Sequence, residues 1–474
     1  MYLSEYLRYD AIGLARLVRT KQVSSTALLD CALEHTQRVN PKINAVINFC
    51  EDAARQAIKQ GLPDGPLRGV PFLVKDGAMD WAGLRTTSGS RALANAPIVG
   101  SDSPLAAAIR GSGVVMFGKT NLPEFGLAVV TEPQLFGPTR NPWNSEFSPG
   151  GSSGGAAAAV ASGFVPAAHG NDGAGSLRIP AAWCGVFTMK TTRGRISMAP
   201  GAEGLGGLTT QGFLSRTVRD NALLLDLSCQ PQIGDPYWRD PPSRSFLSHV
   251  ASPSRRLRVG VLTDTFPGGD KLDPECRATV DATSALLAEL GHHVEPITMN
   301  GDWQGLYSAL CRLIAASAFA RVTSLGEERG APFTEAQIDP VVWLLVEEGR
   351  KVSLPEYIAA RGYLQTFSRN FAATHAAFDV LMTSTTPCSA PRIGAPQDTL
   401  RDLRGTAANT SIFNITGQPA MSLPLGMSSS GTPLGAQLSA AAGEEGLLYS
   451  LAAEIEAARP WSGLAPLATG ETEA

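Results

Sequence analysis

Two glycine-rich, serine-centred segments, 24 residues apart from Ser152 to Ser176, constrain this chain more than any other feature. The first reads Ser148-Pro149-Gly150-Gly151-Ser152-Ser153-Gly154-Gly155. The second reads Gly170-Asn171-Asp172-Gly173-Ala174-Gly175-Ser176-Leu177-Arg178-Ile179-Pro180. Glycine lets a backbone turn sharply and approach a ligand closely. A serine in such a turn has its hydroxyl on a fixed backbone with N–H groups beside it, as a nucleophile and its oxyanion hole require. Upstream, the apolar run Val70 to Val74 ends in Lys75. Two serine turns and one lysine make a candidate catalytic apparatus.

Composition narrows the class. Hydrophobic residues make up 43% and charged residues 17% of 474, enough apolar material for a large core. Length alone predicts about three domains. A net charge of −4 and the lack of a basic run argue against a nucleic-acid partner. The seven cysteines (Cys31, Cys50, Cys184, Cys229, Cys276, Cys311, Cys388) are scattered, with no Cys-x-x-Cys. They predict a reducing compartment and neither a zinc knuckle nor a thioredoxin-like site. Met1 to Asp10 lacks the basic start and apolar core of a signal peptide. The small-residue stretch Ala156 to Ala168 is too short to span a bilayer. The reading is a soluble cytoplasmic protein that does not engage a membrane.

Strands and helices alternate along the chain. Asp10 caps a helix bearing Leu14, Leu17 and Val18, and Ser24 or Ser25 caps a second with Leu29, Ala32, Leu33 and Thr36 at helical spacing. Val70 to Lys75 reads as a buried strand, Ser103 to Arg110 as helix, Val114 to Gly118 as strand, and Ala156 to Ser162 as a helix leaving the first serine turn. Residues 230–256, rich in Pro, Asp, Arg and Ser, read as a surface connection or sub-domain boundary. Beyond it, Leu257 to Leu262 and His293 to Ile297 read as strands, with a helix from Pro274 to Leu290 between them. Leu306 to Phe319 reads as a helix carrying Cys311. Ser353 and Glu356 form a capping box for a helix reaching Ala376, and Phe378 to Thr383 returns to the sheet. Gly470 to Ala474 reads as frayed. This alternation predicts an α/β fold with helices covering a mixed sheet.

Each candidate has a bland alternative. A lysine at a strand end more often snorkels to water, but a desolvated one favours the neutral amine, which accepts a proton. Asp76 follows Lys75, and strand alternation sends it to the opposite face. Gly-x-Ser-x-Gly, centred on Ser153, resembles a nucleophile elbow, but Phe147-Ser148-Pro149 precedes it instead of an apolar strand. No Gly-Lys-Ser/Thr follows to make a phosphate loop, and no Gly-x-Gly-x-x-Gly follows a strand to hold a dinucleotide. Asp172 and Arg178 are expected to hold the second turn by hydrogen bonds. The six histidines show no metal-ligand spacing, so neither a metal nor a cofactor is expected. Tyr237-Trp238, Trp303 and Trp343 read as parts of a private pocket or lid.

Together these segments closely resemble the amidase signature family of serine hydrolases, over most of the chain. Supporting text includes Arg68-Gly69-Val70-Pro71-Phe72-Leu73-Val74-Lys75-Asp76, Gly118-Lys119-Thr120-Asn121-Leu122-Pro123-Glu124-Phe125, Arg140-Asn141-Pro142-Trp143 and Asn414-Ile415-Thr416-Gly417-Gln418-Pro419-Ala420-Met421-Ser422-Leu423-Pro424. The resemblance implies a single α/β/α domain over 1–474, with a mixed central sheet covered by helices. It implies a Ser-cisSer-Lys triad: Ser176 as nucleophile, Ser152 as the bridging serine on a cis peptide, and Lys75 as general base. It maps the oxyanion hole onto the backbone N–H groups of Gly173, Ala174, Gly175 and Ser176.

The chain departs from the family's pattern at Ala174, where glycine is usual, at Asn171, where serine or threonine is common, and across Thr188 to Thr192. None of these is a triad position. The implied reaction is hydrolysis of a small or aryl amide through an acyl-enzyme on Ser176. A carbamate, cyclic-amide or ester hydrolase and the glutamine-hydrolysing subunit of an amidotransferase remain as alternatives. A Ser-His-Asp hydrolase built on Ser153 and a binding-only relative are further ones. The implied partner is a small-molecule amide or carbamate, and the protein is expected as a monomer or homodimer.

Overall fold

A computed structural model describes residues 1–461 and 463–469; the expected fray at Gly470 to Ala474 lies outside the described residues. One continuous sheet of eleven strands forms the centre of the molecule. In chain order these are β1 (Val46–Phe49), β2 (Pro71–Lys75), β3 (Val115–Thr120), β4 (Ala167–Asp172), β5 (Phe187–Lys190), β6 (Thr210–Ser215), β7 (Arg258–Leu262), β8 (His293–Ile297), β9 (Val380–Ser384), β10 (Ala420–Met427) and β11 (Pro433–Ala440). Across the sheet they run β1-β3-β2-β4-β6-β5-β10-β11-β9-β7-β8. The sheet is mixed: β3, β2 and β4 are parallel, as are β9, β7 and β8, and the strands between are antiparallel. Strands β2 and β3 are buried along their whole length, as continuous apolar runs inside a parallel sheet should be.

The capping residues read from the sequence perform that role. Asp10 accepts from Gly13 N at the start of Ala11–Arg19, and Ser24 accepts from Ala27 N at the start of Ser25–Ile43. Ser353 and Glu356 make both halves of a capping box on Leu354–His375. The Leu306 to Phe319 helix is longer than read, Trp303–Arg329, because its apolar face continues in both directions. Residues 230–245 cross the surface as coil before the short helix Phe246–Val250 and β7.

Helices packed on the sheet bury two large apolar clusters, beside two small ones. The larger includes Leu14, Leu28, Phe72, Val74, Phe117, Val160 and Phe187. The second lies among the helices Trp303–Arg329, Pro340–Arg350 and Leu354–His375, and includes Leu310, Val342, Leu364, Phe371 and Phe413. Trp303–Arg329 is long and apolar enough, by length and composition alone, to cross a membrane. Its Leu306, Leu310 and Leu313 instead line the second cluster. Trp303, read as a pocket residue, is buried there and stacks on Phe266 with centroids 5.3 Å apart.

Two of these helices, Pro340–Arg350 and Trp303–Arg329, approach closely at Gly349, where an added Cβ would stand 2.0 Å from Ala315 O. Gly362, inside Leu354–His375, would meet nothing within 4 Å. The two glycines therefore predict opposite outcomes in urea melts. Gly349→Ala forces the helices apart and lowers stability by about 1–3 kcal/mol, as overpacking does. Gly362→Ala removes a helix-interior glycine without a clash and raises it by about 0.5–1 kcal/mol. Equal effects at the two sites would contradict the close crossing.

Candidate active site

The parallel pair β2 and β4 brings Lys75 and Asn171 to one end of the sheet, since Leu73 pairs with Ala168 and both strands run the same way. In open α/β sheets ligands bind at the carboxyl ends of such strands. The first serine turn lies beneath them. It leads into the helix Gly154–Ala161, whose eight residues are all buried. The helix is made of Gly, Ala and one Val because it has no room for more: a Cβ at Gly155 would stand 2.4 Å from Asn121 N. The Gly151–Ser152 peptide is cis.

Lys75 is buried and its Nζ has three neighbours: Ser152 Oγ at 2.7 Å, Ser153 Oγ at 2.9 Å and Asn171 Oδ1 at 2.6 Å. Burial pulls its pKa from the usual lysine range down to about 7, against the opposing attraction of Asp172. The amine is thus substantially neutral near neutral pH, with two N–H groups and one lone pair. Asn171 Oδ1 can only accept a hydrogen bond. Ser153 donates its own proton to the Asn171 carbonyl at 3.1 Å, so its oxygen also accepts from the lysine. Both N–H groups are then committed, and the lone pair is left to Ser152. The Ser152 hydroxyl is the group placed to donate to Lys75. Asp76 does not disturb this: it lies on the other side of the strand, paired with Lys119 at 3.0 Å.

Ser176 is half-buried at the head of the second turn, and its carbonyl accepts from Ser153 N at 3.1 Å, tying the two serine segments together. Among the described residues no hydrogen bond joins the hydroxyls of Ser176 and Ser152. Hydrogen bonds of this kind are often long in a free site and tighten when substrate binds. The turn is shaped by Asp172 and Arg178, as expected. Asp172 accepts from Gly175 N at 2.7 Å and Leu177 N at 3.2 Å, and pairs with the buried Arg178 guanidinium at 2.9 Å. Burial pushes the Asp172 carboxyl up, but Arg178 and the hydrogen bond from Asn414 outweigh it and hold the group at about 2.

The expected convergence of four N–H groups needs one correction. Gly175 N–H donates to Asp172 at 2.7 Å, so it does not join the other three expected groups. The positive φ of this turn falls on Gly175, at 135°, and not on Ala174, so the alanine fits without strain.

Ser152, Asn171, Ala174 and Ser176 open on a cleft of about 1240 Å³. Its far walls come from residues 198–206 and from the cleft-facing sides of two helices, marked by Ile314 and Tyr357. Gly126 lies beside the first turn, where a Cβ would stand 3.1 Å from Ser152 Oγ. Tyr237, Trp238, Trp303 and Trp343 are not among the cleft residues, nor is Cys311, whose thiol lies near Leu400 O at 3.8 Å. No histidine hydrogen-bonds Ser153 among the described residues. His169 is buried, is lowered to about 3 by that burial, and bonds Gln211 at 3.0 Å.

The family model for amidases matches residues 27–449. The 6-aminohexanoate-cyclic-dimer hydrolase of Paenarthrobacter ureafaciens is 39% identical over 478 residues, covering 96% of each chain. A solved structure of a 6-aminohexanoate cyclic dimer hydrolase complexed with substrate superposes with a TM-score of 0.92 at 37% identity, over 98% of this chain and 99% of that one. A bacterial aryl acylamidase of the amidase signature family gives 0.89 at 28% identity, over 98% and 99%.

The account of Lys75 makes a prediction that does not depend on turnover. Asn171→Asp would set a carboxylate where Asn171 Oδ1 now lies, 2.6 Å from Nζ. The Lys75 pKa should rise from about 7 by about one to three pH units, as near an opposite charge. NMR titration of a ¹³C-labelled lysine ε-carbon would follow it. An unmoved midpoint would mean that Asn171 does not touch the amine.

Proposed function

The chain belongs to the amidase family and hydrolyses carbon–nitrogen amide bonds, and we propose that it does so through an acyl-enzyme on Ser176, with Ser152 as proton bridge and Lys75 as base. The observation that carries this reading is the 2.7 Å contact of the buried Lys75 Nζ with Ser152 Oγ, beside two oxygens that accept its N–H groups. In the proposed sequence Ser176 Oγ attacks the amide carbonyl carbon. Its proton passes to Ser152 Oγ as the Ser152 proton passes to Lys75 Nζ. The carbonyl π electrons move onto oxygen, and the N–H groups of Gly173, Ala174 and Ser176 stabilise the resulting oxyanion. The tetrahedral species collapses, the C–N bond breaks, and the proton returns from Lys75 through Ser152 to the leaving nitrogen. Water then attacks the ester by the same relay, leaving a carboxylic acid and free Ser176.

For the substrate, we read a small cyclic or aryl amide. Two things support this: relatives named for a cyclic amide dimer and for aryl acylamides, and a cleft bordered by Leu127, Ile179, Leu205 and Ile314 around the serines. A cleft of about 1240 Å³ exceeds what a short aliphatic amide fills. Carbamates and activated esters would follow the same steps. A role as a glutamine-hydrolysing amidotransferase subunit predicts instead that glutamine is the preferred amide.

The test is a substrate panel: a cyclic amide dimer, an aryl amide, an aryl carbamate, a p-nitrophenyl ester and glutamine. It is run with wild type, Lys75→Ala, Ser152→Ala, Ser176→Ala and Ser153→Ala. The first three substitutions should each cut amide turnover by at least about 10²–10⁴, and Ser153→Ala by less. Because Lys75 acts as the neutral amine, kcat/KM should rise about tenfold per pH unit below its pKa of about 7 and level off above it. Amide turnover that survives Lys75→Ala, or turnover of glutamine alone, would overturn the reading.

A further inference from the structure

Resting on the reading of Ser176 as nucleophile, we infer that Thr410 is a positioning residue for the oxyanion turn, acting from 234 residues away in sequence from Ser176. Thr410 is buried on the helix Ala408–Thr416, and its hydroxyl donates to the Ala174 carbonyl at 2.6 Å. The N–H of the same peptide unit, on Gly175, donates to Asp172 Oδ1 at 2.7 Å. One peptide plane is thus held at both ends, by a hydroxyl on its C=O and by a carboxylate on its N–H. A peptide plane fixed in this way cannot rotate. The planes on either side, which carry the N–H groups of Ala174 and Ser176, are then free to turn only about the bonds at their own Cα atoms.

The fit around Thr410 admits little else. A Cβ on Gly175 would stand 2.3 Å from Thr410 Oγ1. Glycine at this point therefore meets two demands at once: φ near 135° and contact with the hydroxyl. Thr410 is itself fixed. Its carbonyl accepts from Arg178 Nη1 at 2.8 Å, and among the described residues its hydroxyl has one weaker alternative acceptor, Ala407 O at 3.2 Å. The asymmetry, 2.6 Å against 3.2 Å, assigns the hydroxyl proton to Ala174. Preorganised donors act without reorganising during the reaction, so a group that removes rotational freedom from the turn contributes to the transition state more than to substrate binding.

Thr410→Val keeps the shape and deletes the donor; Thr410→Ala deletes donor and methyl; Thr410→Ser keeps the donor. On an aryl amide, Thr410→Val should lower kcat by about 10- to 100-fold, below the 10²–10³ that removal of a direct oxyanion donor costs. KM should stay within about threefold. Thr410→Ser should return kcat to within about threefold of wild type. A trifluoromethyl ketone that forms a tetrahedral adduct should lose affinity in step with kcat/KM, while the acid product binds unchanged. Thr410→Ala is run in parallel, so failure of the valine variant to fold leaves the comparison intact. Wild-type kcat in Thr410→Val and Thr410→Ala, or an equal loss of product binding, would overturn the inference. Ser176→Ala in the same assay separates the two failures: its retained activity would sink the nucleophile reading, whereas its loss beside a wild-type Thr410→Val would sink only the role of Thr410.

Discussion

The buried ion pair of Asp172 and Arg178 is the interaction on which the rest of the site depends. Burying two charges is unfavourable unless their remaining donors and acceptors are satisfied. Here the guanidinium uses all five of its N–H groups. Nε and one Nη2 hydrogen go to Asp172, the other Nη2 hydrogen to Asn414 Oδ1, and the Nη1 pair to Thr410 O and Gln437 Oε1. Asp172 fills its other acceptor positions with Gly175 N, Leu177 N and Asn414 Nδ2. The pair therefore ties the end of β4, the serine turn, the helix Ala408–Thr416 and β11 into one unit. A substitution at any of these points leaves a polar group buried without a partner. The turn that bears Ser176 is held in shape by long-range contacts, which is how a glycine-rich loop comes to be rigid.

The extent to which this could be read in the sequence divides along the same line. Lys75 was legible because it closes an apolar strand, and the serine turns because glycine clusters mark tight backbone. The caps at Asp10, Ser24 and Ser353 were legible because capping is local. Strand β4 was not: Ala167-Ala168-His169-Gly170-Asn171-Asp172 lacks the β-branched and aromatic residues that mark a strand, and its pairing with β6 over Asp172↔Thr210 makes it one. The commitment of Gly175 N–H to Asp172 was also hidden, since a run of N–H groups in a sequence does not reveal which way each peptide turns. The reach of Thr410, Asn414 and Gln437 back to residues 172–178 carries no local signal at all. Asn171 stood out only as an unusual residue, and its contact with Lys75 depends on strand order.

The aromatic residues read as a pocket lid show the opposite error. Trp303 has the composition of a ligand-binding residue, yet it stacks on Phe266 and meets Phe367 inside the second core. Tyr237 lies under the Arg193 guanidinium at 5.6 Å, away from the serines. A large aromatic side chain removes so much apolar area from water that core packing is its commoner use. The cleft is instead walled by Ile314, Leu205 and Tyr357. Helical spacing on Trp303–Arg329 and Leu354–His375 turns one side of each helix to the cleft and the other to the core.

Three buried lysines show how neighbours, and not burial alone, decide what a lysine does. Lys75 and Lys119 lie on adjacent parallel strands, with Val74 beside Lys119 in register. Lys119 faces the Asp76 carboxylate, Arg85 O and Thr86 Oγ1, three acceptors for three ammonium protons. Lys190 Nζ hydrogen-bonds Thr191 O alone among the described residues, at 2.7 Å, and burial, with the nearby Arg178 charge adding to it, keeps its pKa well below the usual lysine range. Lys75 differs from both in its neighbours. It has three hydrogen-bonding oxygens but no carboxylate in contact, because Asp76 points away and Asp172 is saturated by Arg178. Burial therefore favours its neutral amine, against the attraction of Asp172. The midpoint near 7 follows from that balance. Alternation at the end of β2 creates it by sending Lys75, its last residue, toward the serines and Asp76, just beyond it, toward Lys119. A one-residue slip of β2 would exchange them, placing a carboxylate against Ser152. The register between β2 and β3 is thus as much a part of the site as the hydroxyls themselves.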